Sequence, residues 1–183
     1  MIFNQHSDLI GKHAFLSASK YHWINYDEEK IVEAYDKAMT AARGTRLHAL
    51  AHDLISLGVK LPNTQQTLNM YVNDCIGYRM KTEQVLFYSY DAFGTADAID
   101  FRDRVLKIFD LKNGVTPTKE TQLEVYAAFF CLEYKVRPAE IEYDLRIYQN
   151  DEIYAFDTDP DRILHIIDRI VQFDQLIKSM KEV

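Results

Sequence analysis

The stretch Ile108-Phe109-Asp110-Leu111-Lys112-Asn113-Gly114 decides how the rest of this chain is interpreted. Its apolar residues predict a buried strand, and its glycine is typical of the position where such a strand ends. Side chains alternate between the two faces of a strand, so Asp110 and Lys112 are predicted to point the same way, with Phe109 and Leu111 pointing into the opposite layer. An acid and a base at the end of an apolar strand are costly to desolvate, which favours a functional role for the pair.

The length and composition of the chain indicate a soluble globular protein. Its 183 residues, of which 48% are hydrophobic and 27% charged, are enough for one compact domain. The 28 acidic and 21 basic residues give a formal charge of -7, so any surface that binds a polyanion must be local or must depend on bound cations. We expect Cys75 and Cys131 to be reduced core residues, in a cytoplasmic setting. No segment has about 18 uninterrupted apolar residues and the first residues do not resemble a leader, so neither secretion nor a membrane span is expected.

The periodicity of the chain predicts an α/β domain over residues 1–183, with a helical part at 1–81, a sheet with a central helix at 82–157 and a C-terminal helix at 158–183. The first part is predicted as interrupted helices: a short one capped by Ser17 or Ser19, one that begins near Asp27, one over 41–57, and one capped by Thr64 that runs to about residue 81. Strands are predicted over 83–90, 93–101, 104–112, 140–149 and 153–156. Helices are predicted over 119–134, after Thr116-Pro117, and from Asp159-Pro160 to about residue 180. This order indicates a mixed sheet with helices packed on it.

A second acid lies in the run Gly94-Thr95-Ala96-Asp97. If the strands over 93–101 and 104–112 form a hairpin, antiparallel pairing brings Asp97 close to Asp110. Two carboxylates on adjacent strands are suited to Mg²⁺ or Mn²⁺, and His48 can add an imidazole from a helix. Lys112 is then placed to orient or deprotonate a water, or to neutralise charge on a phosphate, which together predict phosphodiester hydrolysis.

Four short motifs in order resemble the PD-(D/E)XK nucleases, in the RecB-like exonuclease branch: Gly44-Thr45-Arg46-Leu47-His48, Gly94-Thr95-Ala96-Asp97, Asp110-Leu111-Lys112 and Gln122-Leu123-Glu124-Val125-Tyr126. The resemblance covers roughly residues 13 to 150. With Leu16-Ser17-Ala18-Ser19, the first motif is similar to a phage-associated group of that branch. The resemblance implies a restriction-endonuclease-like core: a central mixed sheet flanked by helices, with an N-terminal helical segment.

The resemblance also implies roles for individual residues. His48, Asp97 and Asp110 would bind Mg²⁺ or Mn²⁺ together with the carbonyl of Leu111, and Lys112 would be catalytic alongside the two acids. Gln122 and Tyr126 would contact the nucleic acid, and Glu83 stands where some relatives carry an acid near the metals. No iron-sulfur cluster is expected, because two cysteines cannot supply four ligands. The implied protein is a DNA exonuclease of phage or bacterial recombination and repair, alone, as a homo-oligomer, or with a recombination-protein partner.

Other interpretations remain open at this point. Asp110 and Lys112 are also compatible with a structural ion pair, Asp97 with a turn, and His48 with a hydrogen-bonded core histidine. His48 and His52 have the spacing of a zinc-protease helix, but Ala49 stands where that mechanism needs a glutamate. The main functional alternative is a catalytically silent nuclease fold that binds DNA or protein, such as a phage regulator or inhibitor.

Overall fold

The computed structural model describes residues 15–16, 18–114 and 119–181. The chain divides into two compact units, Met1–Arg43 and Gly44–Val183. In the first unit a 3-10 helix, Ala18–Asn25, precedes the beginning of helix α1 (Glu28–Leu57), and the ring of Phe15 meets that of Tyr35 edge to face with centroids 5.2 Å apart. Ser17 lies outside the described residues. The single nuclease domain over residues 1–183 stays a prediction.

Helix α1 corrects the prediction of separate helices within its range. Asp27 Oδ1 accepts a hydrogen bond from the backbone N–H of Lys30 at 2.8 Å, which caps the helix at the predicted place. The chain then stays helical through residue 43 because Lys37–Arg43 is rich in alanine and other strong helix formers, and a single glycine at position 44 costs only about 1 kcal/mol. The predicted end is confirmed: Gly58 has φ +67°, and the N–H of Val59 donates to the carbonyl of Leu54 at 2.9 Å.

Helix α2 (Thr67–Gly77) is shorter than predicted at both ends. Gln66, not Thr64, occupies the N-cap position, and the Thr64 hydroxyl instead accepts a hydrogen bond from Asn69 Nδ2 at 2.9 Å. The helix ends early because Arg79 adopts a left-handed conformation with φ +54°, and the N–H of Met80 turns back to the carbonyl of Cys75 at 2.9 Å. The glycine at this end, Gly77, is the last helical residue and not the left-handed one, so the sequence pattern does not reveal the turn at Arg79.

The remaining elements build the five-stranded mixed sheet that was predicted. Their order is β1 (Lys81–Ser89), β2 (Ala92–Arg102), β3 (Val105–Leu111), α3 (Thr121–Tyr134), a 3-10 turn (Pro138–Glu140), β4 (Glu142–Gln149), β5 (Glu152–Phe156) and α4 (Pro160–Lys181). The strands lie side by side in chain order, and all neighbours are antiparallel except β3 and β4, which α3 connects as a parallel pair. The predicted start of α3 at Thr116-Pro117 lies outside the described residues.

Two buried clusters hold the layers together, one on each face of the sheet. Ile108 and its neighbours on β1 to β4 pack against α3, with α4 behind it. On the other face Phe109 and Leu111 pack with Tyr148 and with side chains of α1 and α2. Burying each such side chain stabilises the fold by about 1.5–3 kcal/mol. The opposite directions of Ile108 and Phe109 confirm the predicted alternation along β3, and Cys75 and Cys131 are buried as expected.

Candidate functional site

The two predicted acids meet where β2 and β3 run side by side. The register pairs Ala98 with Phe109, which are the direct neighbours of Asp97 and Asp110 in the two strands. Asp97 Oδ2 accepts a hydrogen bond from the backbone N–H of Leu111 at 3.1 Å, which fixes the carboxylate against the end of β3. Asp110 is only 2% exposed, so a negative charge on it has almost no water to stabilise it.

Asp110 and Lys112 point the same way, as the alternation of β3 predicts. Lys112 Nζ lies 2.9 Å from Oδ2 and 3.1 Å from Oδ1 of Asp110. Only the Oδ1 contact has the direction of a hydrogen bond, so Oδ2 accepts none from the described part of the chain. The pKa of Asp110 is raised from 3.8 to about 6, first by burial and then by the charge of Asp97, against the opposing effect of Lys112. This carboxylate therefore gains from any additional cation at Oδ2.

Helix α3 extends this contact through its first two turns. Lys112 Nζ donates a second hydrogen bond, to Gln122 Oε1 at 3.0 Å, and Gln122 Nε2 donates to the hydroxyl of Tyr126 at 3.0 Å. The ring of Tyr126 lies over Gly94 of β2, where an added Cβ would come within 2.9 Å of its Cε1 atom. Glycine at position 94 is therefore needed for α3 to bring Gln122 and Tyr126 to this edge. The structure thus places all three predicted residues, 112, 122 and 126, in one hydrogen-bonded row.

His48 reaches the same acids from α1. Its Nδ1 atom lies 3.3 Å from Oδ1 of Asp97. The pKa of His48 is raised above 6.5, mainly by the hydrogen bond to Asp97, although burial opposes the shift. One turn earlier, a Cβ at Gly44 would lie 3.2 Å from Nδ2 of Asn113, so the small residue allows α1 to approach the end of β3. His52 is turned to Thr82, whose Oγ1 lies 2.6 Å from its Nδ1, and is not part of the acid group.

Glu83 completes the group from β1 through an irregular backbone. The pairs Thr82 with Ala98 and Gln84 with Ala96 keep one register, so no residue is inserted between them, yet Glu83 has φ +52°. A left-handed residue other than glycine costs about 1 kcal/mol or more and is typical of functional sites.

Strand β2 is also irregular, at the position beside Glu83. Ala96 packs in the cluster under α3, whereas Ala98, two positions later, packs in the cluster on the opposite face. A regular strand would direct both to one face. The side chains of β2 therefore change face at Asp97, beside Glu83, and at this point both acids reach toward His48.

Three ligand atoms come together here in a geometry that suits a cation. Single ligand atoms of His48, Glu83 and Asp97 all lie within 4.8 Å of one another. One imidazole nitrogen and two carboxylates fit Mn²⁺ or Mg²⁺ better than a soft metal. Asp110, the third predicted ligand, is not within this group and instead holds Lys112 behind Asp97. The sequence motifs thus located three of these four residues directly, and Glu83 only through the resemblance, because a lone acid in an aromatic strand carries no local signal.

An open cleft gives access to the acids. It has a volume of about 540 Å³ and lies between α1 and β1, lined by Gly44, Thr45, His48, Ala49, His52, Asp53, Glu83 and Asp97. Asp53 was not anticipated from the sequence, because an acid on an exposed helix face has many structural explanations. The group can therefore be reached from solvent, although Asp110 itself is buried.

Comparisons with known proteins leave the activity open. No protein-family model matches the chain, and no curated protein matches it. Among solved structures it is similar to the "Crystal structure of SSO0001", with 12% identity and a TM-score of 0.34. That similarity covers 58% of this chain and 57% of that chain, and a TM-score so low carries no argument. Among the described residues, no helix combines the length and apolarity needed to cross a membrane.

Proposed function

We propose that this protein is a Mg²⁺- or Mn²⁺-dependent nuclease of the PD-(D/E)XK type that hydrolyses phosphodiester bonds in DNA. The observation that carries the proposal is the position of Lys112. Its ammonium group is held by Asp110 and Gln122 at the end of β3, where Asp97 accepts the Leu111 N–H and shares a cleft with His48 and Glu83. A cation held between carboxylates, with an ordered lysine beside it, is an arrangement suited to an anionic substrate.

In this proposal the chain's own residues divide the work. His48, Glu83 and Asp97 would hold the metal, with Asp110 as the further ligand that the resemblance implies, and the metal when bound supplies Lewis acidity toward a phosphate. Asp110 and Gln122 orient Lys112, so that its positive charge stabilises the charge that develops on the phosphate oxygens. Tyr126, through Gln122, limits the positions that the lysine can adopt. Exonucleolytic action in phage or bacterial recombination and repair, in the cytoplasm, belongs to the same proposal and rests on the resemblance alone.

Incubation of the full chain with linear and circular DNA, with and without Mn²⁺, tests the activity. Degradation is expected only with metal, and Lys112→Ala is expected to reduce its rate by about 10²-fold or more, the size typical of a lost catalytic group. Lys107→Ala, which removes a lysine of β3 five residues before Lys112, is the matched control and should retain the wild-type rate.

The possible outcomes separate the two functional candidates. Metal-dependent degradation that survives in Lys112→Ala would refute the proposed site. Binding to DNA or to a partner protein without cleavage under any metal would instead support the catalytically silent alternative. The net charge of -7 favours this alternative, because an acidic protein repels DNA.

A further inference from the structure

An exposed aromatic patch lies at the far end of the β1–β2 hairpin. The patch consists of Phe87, Tyr90 and Phe93, which are 39%, 91% and 56% exposed. The ring of Phe87 lies 5.4 Å from that of Tyr90, edge to face, and 6.4 Å from that of Phe93, with an angle of 30° between the two planes. Neither buried cluster of the described residues includes them, so core packing does not explain three neighbouring exposed rings.

The patch and the candidate site are parts of the same two strands. Phe87 is four residues from Glu83 on β1, and its cross-strand partner Phe93 is four residues from Asp97 on β2. Four strand residues span about 13 Å, which is the length of a few nucleotides. A chain whose end occupies the cleft can therefore reach the rings without leaving the hairpin.

Two contacts fix the hairpin relative to the candidate site. Gly94 is packed under Tyr126, which leaves Phe93 and Phe87 on the face away from α3. On the outer edge of the sheet, Glu133 of α3 accepts a hydrogen bond from the backbone N–H of Phe87 at 2.7 Å. These two contacts attach the hairpin to α3, the helix that carries Gln122 and Tyr126.

The charge of the patch differs from that of the protein as a whole. Between Val85 and Thr95 the sole charged residue is Asp91, and Lys181 Nζ neutralises it at 2.6 and 2.7 Å from its two oxygens. In a chain of net charge -7, the hairpin tip thus adds little repulsion toward a polyanion, although the Glu133 carboxylate lies at the backbone of Phe87. Three partly exposed rings offer about 400 Å², which is half of the area that each partner buries in a specific protein interface. The patch is therefore smaller than a typical protein-binding surface.

We propose that Phe87, Tyr90 and Phe93 bind the unpaired bases of a single-stranded nucleic acid by stacking. Duplex bases are already stacked on one another, so only a single strand or a frayed end can use aromatic rings in this way. Combined with the proposed nuclease function, on which this step rests, the patch makes single-stranded ends the substrate class of the site. Because stacking and not charge supplies the affinity, binding depends weakly on salt.

Fluorescence anisotropy with labelled 12-nucleotide oligonucleotides tests the proposal on the full chain. DNA and RNA single strands and a blunt DNA duplex are compared in Ca²⁺ and in EDTA. Phe93→Leu and Tyr90→Leu keep an apolar side chain but remove the ring, and each is expected to weaken single-strand binding about 5-fold to 100-fold. Phe93→Tyr should restore it, and Tyr134→Leu, which removes an exposed aromatic of α3, should leave it unchanged.

Each outcome decides the proposal. The proposal is overturned if the wild type and both leucine variants bind the single strand with equal affinity. It is also overturned if the variants lose as much affinity for the duplex as for the single strand, or if the wild type self-associates and the variants do not. Tyr90 is almost fully exposed, so its variant remains informative if Phe93→Leu fails to fold. Binding that depends on the rings, without cleavage under any metal, would support the stacking surface and contradict the nuclease function. Cleavage that does not depend on the rings would support the nuclease function and contradict the stacking surface.

Discussion

The parallel pair β3–β4 and the antiparallel pair β1–β2 belong to one sheet but follow different rules. The first pairs seven successive positions without interruption, from Val105 with Glu142 to Leu111 with Tyr148, and its side chains alternate regularly between the two buried clusters. The second is irregular at Glu83, where the backbone of β1 is left-handed, and at Asp97, where the side chains of β2 change face. Burial alone explains the first geometry. The second has a conformational cost that burial does not offset, so we attribute it to the placement of acids.

The largest effect on stability is expected at Asp110. This residue belongs to the regular strand β3, next to the irregular strand β2. The pKa of Asp110 is about 6 in the folded state, compared with 3.8 for an ordinary aspartate in the unfolded chain. The folded state therefore keeps the proton up to a higher pH, and the stability that this group contributes is lost as the pH rises from 4 to 6. Relative to wild type, Asp110→Asn should therefore gain up to about 3 kcal/mol in free energy of unfolding over that range. Urea denaturation in EDTA at successive pH values measures the difference.

A second variant sharpens this measurement. Lys112 lowers the pKa of Asp110, so in Lys112→Met the fall in stability should begin at the same pH but extend to higher pH. A difference between Asp110→Asn and wild type that stays constant with pH would contradict the role given to burial of this carboxylate.

A smaller effect is expected where α3 rests on β2. Gly94→Ala places a Cβ against the ring of Tyr126 and should cost about 1–3 kcal/mol in free energy of unfolding. Gly77→Ala is the matched control: its Cβ has no neighbour within 4 Å, and alanine in α2 should stabilise the protein by up to about 1 kcal/mol. Equal effects at the two positions would show that the contact between Gly94 and Tyr126 does not constrain the fold.

The smallest effect tests the irregular strand directly. Glu83→Gly removes the cost of a left-handed backbone and adds the flexibility of glycine, so in EDTA the two effects should nearly cancel. Gln84→Gly, one residue later in the same strand, lacks this compensation and should cost about 1 kcal/mol. Thermal unfolding compares them, and Mn²⁺ should raise the unfolding temperature of wild type but much less that of Glu83→Gly. If both glycine variants are equally destabilised, the backbone at Glu83 carries no strain.

Motif spacing anticipated much of the candidate site but not its internal geometry. The alternation along β3 placed Asp110 and Lys112 on one face, and the four-residue spacing of Gln122 and Tyr126 placed them on one face of α3. Neither pattern reveals that the Lys112 ammonium lies between Asp110 and Gln122, because that depends on how far α3 sits from the sheet. The ends of α2 and the continuity of α1 were predicted wrongly for a related reason: local propensities near 1 kcal/mol are smaller than packing energies.

The sequence by itself determined the order of the elements, the mixed sheet, the two buried faces of β3 and the residues that meet at its end. The elements and the faces follow from periodicity, because an apolar side chain two residues along a strand must return to the same layer. The set of residues at the end of β3 was implied by the resemblance to the PD-(D/E)XK nucleases. Only the tertiary structure decided that Glu83 joins His48 and Asp97 while Asp110 stands behind them with Lys112. That choice depends on a left-handed residue inside a strand, which local preferences disfavour and which only the surrounding sheet can hold in place.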